Sequence, residues 1–110
     1  MIINLDYLKT LSGGNEKFIR EMVDIFKEQI AEYAEDMPKL LETADYDNLS
    51  KLAHKAKSSA AIMGMTEEAD SLAELEILAR EGKDSDLYVE YIDRFVDACH
   101  IALKELNEHH

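Results

Sequence analysis

Basic residues are scarce in this chain. Twelve lysines and arginines face 24 aspartates and glutamates, for a formal net charge of −12. A nucleic-acid binder gains affinity by releasing counterions from phosphates onto basic side chains, so this composition excludes that class. An anionic bilayer surface is disfavoured on the same ground. Cysteine occurs once, as Cys99. No disulfide can close within the chain, which suits a reducing compartment, and no zinc-type ligand spacing exists. One proline, four glycines and no tryptophan leave little material for turn-rich β architecture. No apolar run has the length needed to cross a bilayer. Residues 1–11 have neither the basic nor the apolar region of a signal peptide. Together these exclusions predict a cytoplasmic protein with no membrane and no nucleic-acid partner.

What remains is rich in Leu, Ala, Glu, Asp and Lys, which are helix formers or helix-surface residues. A length of 110 residues suits one domain with its own core. A short first helix fits Leu5 to Leu11 with Asn4 as N-cap, and Ser12-Gly13-Gly14 breaks it. Asn15 then caps a long second helix. Its apolar stripe runs from Phe18 through Ile19, Met22, Val23, Phe26, Ile30, Tyr33 and Met37 to Leu41 and Ala44 at spacings of three and four. Pro38 interrupts the hydrogen-bond ladder, yet the stripe stays in phase across it, so one kinked helix is expected. A third helix starts near Asp47 or Asn48, runs to Met63 and ends at Gly64. Thr66 caps a fourth, which Gly82 ends. Asp84 or Ser85 caps the last, whose inner face holds Tyr88, Ile92, Phe95, Cys99, Ala102 and Leu106. Short connections make successive helices antiparallel neighbours. The expected fold is all-α: an up-down-up-down four-helix bundle with a short additional N-terminal helix, one domain over residues 1–108. His109 and His110 form an adjacent terminal pair of the kind a purification tag leaves, and are set aside.

The third helix differs chemically from the others. No acidic residue lies between Asp47 and Glu67, and that gap holds Lys51, His54, Lys55 and Lys57. Residues three, four and seven positions from His54 share its helix face. They are Asp47, Ser50, Lys51, Lys57, Ser58 and Ala61, a solvent face with small residues C-terminal to the imidazole. Small side chains leave the ring uncovered and admit another protein. A neutral imidazole is a nucleophile, and an ordinary histidine with a pKa near ~6.5 is mostly neutral at cytoplasmic pH. A phosphoryl group taken up there adds roughly two negative charges, which nearby lysines favour by a few tenths to ~1 kcal/mol each. Periodicity alone also fits a plain solvated face.

The stretch His54-Lys55-Ala56-Lys57-Ser58-Ser59-Ala60-Ala61-Ile62-Met63-Gly64 resembles the signature of histidine-containing phosphotransfer (HPt) domains. In that signature the phosphorylated histidine is followed by a lysine three on, small residues and a glycine ten on. Asp6-Tyr7-Leu8, Gly13 to Ile19, Leu75-Glu76 and Ala79-Arg80 extend the likeness over nearly the whole chain. Two positions depart from the pattern: Ala56 replaces a common leucine, and Ser58 a common glycine. The resemblance implies His54 as phosphoacceptor, with Lys57, Lys55 and Ser58 stabilising the phosphoryl group. Lys51, Ser58, Ala61 and Gly64 would touch the partner. It further implies a monomer serving response-regulator receiver domains or a hybrid sensor histidine kinase. Magnesium would belong to the receiver, with no cofactor or metal on this chain. With no glycine-rich phosphate loop, no autonomous kinase activity is expected.

Three rivals are weighed on residues. The phosphoacceptor domain of a sensor kinase typically places an acidic residue directly after its histidine, where this chain has Lys55. A metal-carboxylate bundle needs two Glu-x-x-His pairs, and the nearest approach is Asp97 three before His100. A helical module that docks a receiver or kinase without being phosphorylated remains the alternative.

Overall fold

The computed structural model describes residues 2–108. The terminal histidine pair lies outside them. Five α-helices follow in order: α1 (Asp6–Ser12), α2 (Glu16–Glu42), α3 (Tyr46–Ile62), α4 (Thr66–Glu81) and α5 (Tyr88–Glu108), with a 3-10 turn at Ser85–Leu87 before α5. No strand occurs among the described residues, so the all-helical expectation holds.

Helix α2 is continuous over 27 residues and carries Pro38 within it. The lost hydrogen bond falls in its last two turns, and Pro38 itself is exposed. Asn15 caps α2 as predicted, its Oδ1 accepting from the Phe18 N–H at 3.1 Å. Other caps move. Helix α3 starts at Tyr46, slightly before the expected Asp47 or Asn48, and Asp45 caps it by accepting from the Asn48 N–H. Asn4 accepts from the Asp6 N–H, but Leu5 occupies the capping position of α1. Thr66 is the first residue of α4 and donates its hydroxyl back to the Gly64 carbonyl. Asp84 precedes the 3-10 turn in a left-handed conformation, with no side-chain cap.

The ends of the stripe on α2 also differ from expectation. Phe18, at the start of the stripe, is exposed. Ala44 lies beyond the helix, exposed, at φ 54°. It occupies the left-handed position of a Schellman motif, in which Asp45 N–H reaches Leu40 O and Ala44 N–H reaches Leu41 O. Nothing in the sequence marks this ending, since glycine is the usual residue there.

The core joins all five helices, with Leu8, Phe26, Tyr33, Leu49, Leu75, Tyr88, Phe95 and Leu106 buried. Helix α2 packs on α3 and α5, and α4 packs on α3 and α5. Tyr33 and Gln29 meet Ser59, while Leu40 and Leu52 share a groove, which makes α2 and α3 antiparallel. Tyr88 reaches Leu78 and Tyr91 reaches Glu74, which makes α4 and α5 antiparallel. The most extensive pairing is α3 with α4. Ala53, Ala56 and Ala60 are buried on α3, and side chains this small let two helices approach closely. The chain start is tied down as well: the Ile2 and Ile3 N–H groups donate to the Glu105 carboxylate on α5.

Candidate functional site

His54 lies midway along α3, and its side chain is 59% exposed. The exposure follows from helical phase: Ala53 and Ala56, on either side in sequence, point inward and are fully buried. Lys51, Lys55, Ser58 and Ala61 are exposed with His54, and Lys57 is half-buried on the flank towards α4. Ser50 does not share the solvent face expected for it. The close approach of α4 covers it, leaving 6% exposed, and its hydroxyl donates to the Glu76 carbonyl at 2.8 Å.

The residue that organises the site comes from α4. Glu76 Oε2 stands 3.0 Å from His54 Nδ1, and Glu76 Oε1 accepts from Lys57 Nζ at 3.0 Å. One carboxylate therefore bridges the imidazole and the ammonium. The Lys57 ammonium, then the His54 ring, hold the Glu76 carboxyl below the usual glutamate range, against the opposing effect of burial. An ionised carboxylate only accepts, so Nδ1 must carry the ring proton. In the neutral ring that arrangement sets the tautomer and leaves the Nε2 lone pair free. Among the described residues Nε2 has no hydrogen-bond partner.

The sequence segment around His54 is free of acid, but the site is not. Fold, not chain proximity, supplies Glu76. A trace of it is legible: Glu76 stands three or four residues from Leu72, Ala73 and Ala79, so a charge sits on the inward face of α4. A charge on a buried stripe calls for a partner.

The other expected residues separate. The Ser58 hydroxyl donates to the His54 backbone carbonyl at 3.3 Å, so in this state it faces its own helix. Lys51 pairs with Asp47 at 3.3 Å. Gly64 has φ 73°, and a Cβ there would collide with the Asn4 carbonyl oxygen. Its surface is thus occupied by the N-terminal segment, which is fixed by the Asn4 N–H to Met63 carbonyl bond of 2.9 Å. No group of three or more His, Cys, Asp or Glu side chains able to hold a metal comes together among the described residues. No helix among them is long and apolar enough to cross a membrane.

Comparison with known proteins adds a family. A family model, the Hpt domain, matches residues 21–109. No curated protein and no solved structure gives a significant match. Hpt domains are phosphocarriers, not enzymes; they work in two-component signalling with receiver and kinase domains. With the match spanning α2 to α5 and an exposed, carboxylate-held histidine on α3, the chain belongs to the Hpt domain family.

Proposed function

We propose that this chain carries a phosphoryl group on Nε2 of His54, taking it from the phospho-aspartate of one receiver domain and passing it to the aspartate of another. The observation that carries this reading is the Glu76 carboxylate 3.0 Å from His54 Nδ1. It leaves the exposed nitrogen as the nucleophile.

The step follows from that geometry. The Nε2 lone pair attacks phosphorus in line, an N–P bond forms, and the bond from phosphorus to the aspartyl oxygen breaks. The electron pair leaves on the aspartate carboxylate. Nδ1 keeps its proton throughout, and the positive charge gained by the ring faces the Glu76 carboxylate. Positioning and electrostatics supply most of the acceleration in phosphoryl transfer. Lys57 is placed to neutralise a phosphoryl oxygen by swinging from Glu76. Lys55 adds positive potential, and Ser58 can contribute its hydroxyl by turning away from the helix. Lys51 and Ala61 lie on the face a receiver must cover. Magnesium is carried by the receiver. We read α2 to α5 as an up-down-up-down four-helix bundle with α1 at one end, working as a cytoplasmic monomer.

The test is transfer of radiolabel from a phosphorylated receiver domain to wild type and to His54→Ala. Label on wild type alone, acid-labile and base-stable, is the expected result. Receivers that bind the protein yet pass it no label would establish the alternative, a docking module that is not phosphorylated.

A further inference from the structure

Three residues on one flank of α3 converge on a single residue of α4. Ser50, His54 and Lys57 stand at spacings of four and three, so successive turns present them along the same side. The Ser50 hydroxyl donates to the Glu76 carbonyl oxygen at 2.8 Å, His54 Nδ1 meets Oε2 at 3.0 Å, and Lys57 Nζ donates to Oε1 at 3.0 Å. Among the described residues, every side-chain hydrogen bond between α3 and α4 ends on Glu76. The buried alanines of α3 add only apolar contact, which has no direction. Of the three bonds, Ser50 alone makes one to the main chain of α4. A side-chain acceptor can follow its partner by changing rotamer, whereas a helical carbonyl moves only with its helix. Local preference does not account for the Ser50 bond. A serine inside a helix commonly turns its hydroxyl to the carbonyl four residues back, as Ser58 does with His54. Ser50 reaches across to the neighbouring helix instead.

We propose that Ser50 is a positioning residue for phosphoryl transfer: its buried hydroxyl pins the main chain of α4 at Glu76, so that the carboxylate arrives between His54 and Lys57. The proposal rests on the relay reading for the reaction it serves. A reactive constellation tolerates displacements of only about 0.5 Å. Two oxygens of one carboxylate, each 3.0 Å from a different partner on α3, leave little room for α4 to slide. Apolar packing sets the distance between the helices but not their register to that precision. The Glu76 carbonyl can serve without loss to the helix, since it has a second lone pair beyond the one that takes the helical N–H. The need is greatest during transfer itself. When Lys57 swings to the phosphoryl group, Glu76 loses that partner, and Ser50 and the imidazole are left to hold it.

The experiment compares wild type with Ser50→Ala and a Ser59→Ala control. Ser59 is nearly as buried on the same helix, but its hydroxyl meets Tyr33 and Gln29 of α2. Stability does not separate the two variants, because each loses a buried hydrogen bond; the state of the His54 ring does. Nitrogen NMR with the ring neutral should show the proton held on Nδ1 in wild type and Ser59→Ala, and spread over both nitrogens in Ser50→Ala. Single-turnover transfer of radiolabel from a phosphorylated receiver should slow about three- to tenfold in Ser50→Ala and stay at the wild-type rate in Ser59→Ala. In a Glu76→Ala background, adding Ser50→Ala should change the rate less than about twofold, since nothing is left to position. Should Ser50→Ala fail to fold by circular dichroism, Ser50→Cys keeps the volume, weakens the donor and takes its place. A single tautomer retained in Ser50→Ala would overturn the proposal, even with slower transfer, because the effect would not run through Glu76. An equal effect from Ser59→Ala, or a full effect in the Glu76→Ala background, would overturn it too. The ring readout needs no receiver, which keeps the two claims apart. Wild type that takes no label from receivers that bind it removes the relay, while the tautomer still decides whether Ser50 positions Glu76. Label that reaches wild type and Ser50→Ala at one rate removes the role of Ser50 and leaves the relay.

Discussion

At the scale of single residues, the site depends on one carboxylate serving two partners. Glu76 fixes the histidine tautomer through one oxygen and holds Lys57 through the other. Replacing it with glutamine keeps the shape and removes the charge. A charge-assisted hydrogen bond contributes about 1.5–3 kcal/mol, so Glu76→Gln should slow single-turnover transfer roughly ten- to a hundredfold. Nitrogen NMR of the ring should show the proton spread over both nitrogens instead of held on Nδ1. Retention of one tautomer in the variant would mean that Glu76 does not orient the ring. A pH dependence follows from the same group. The folded-state pKa of Glu76 is lowered, chiefly by Lys57. Its contribution to stability is therefore fully present above the ordinary glutamate range, and is lost as pH falls through the folded value. The gap in melting temperature between wild type and Glu76→Gln should be open at pH 7 and close at strongly acid pH. A gap that persists at low pH would assign the difference to shape and not to charge. The histidine and its lysines were legible from sequence because they lie within one helix, where spacing determines the face. Glu76 left only a trace, a charge on the inward stripe of α4, since its place beside His54 depends on how α4 packs across α3.

At the scale of the helix, endings carry most of the information that composition hides. Two endings share one geometry with opposite residues. Gly64 adopts φ 73° against Asn4, while Ala44 adopts φ 54° in the open. An alanine in the left-handed region is strained, and glycine relieves the strain at some entropic cost. Ala44→Gly should therefore stabilise the protein by about 0.5–1 kcal/mol, read from chemical denaturation. No gain would show that the turn tolerates the methyl group. The reverse change is more severe. Gly64→Ala places a methyl group both in a strained conformation and against the Asn4 carbonyl. A loss of about 1–3 kcal/mol is expected in the same assay, with the N-terminal segment displaced. Helix existence and the Gly64 and Gly82 stops were readable because glycine marks them. The end of α2 was hidden by Ala44, and the start of α3 lies just before the expected Asp47 or Asn48 because Asp45 supplies the cap.

For the whole molecule, a core that includes all five helices implies that its deepest groups are exposed only by extensive opening. Cys99 is fully buried on α5, and burial pushes its thiol up to about 12. Thiolate is the reactive species, so native protein should resist alkylation at pH 8 and react only through opened forms. Labelling followed by mass spectrometry should give rates that rise with denaturant in parallel with global unfolding. Fast labelling in native buffer would show that α5 frays independently of the rest. The all-helical content was accessible from periodicity because the long helices carry apolar stripes. The groove floored by Leu40 and Leu52 was not, because it is assembled from residues on two helices that only packing brings together.

His54 stands on a convex helix face rather than at the bottom of a cleft, with more than half of its side chain open to solvent. Any two partners that each reach Nε2 must occupy the same space above α3. They can visit only in turn, so a relay through His54 would run as a single-berth ferry. Its throughput is capped by how quickly the first visitor leaves, and a donor that binds too tightly would block the traffic it is meant to start.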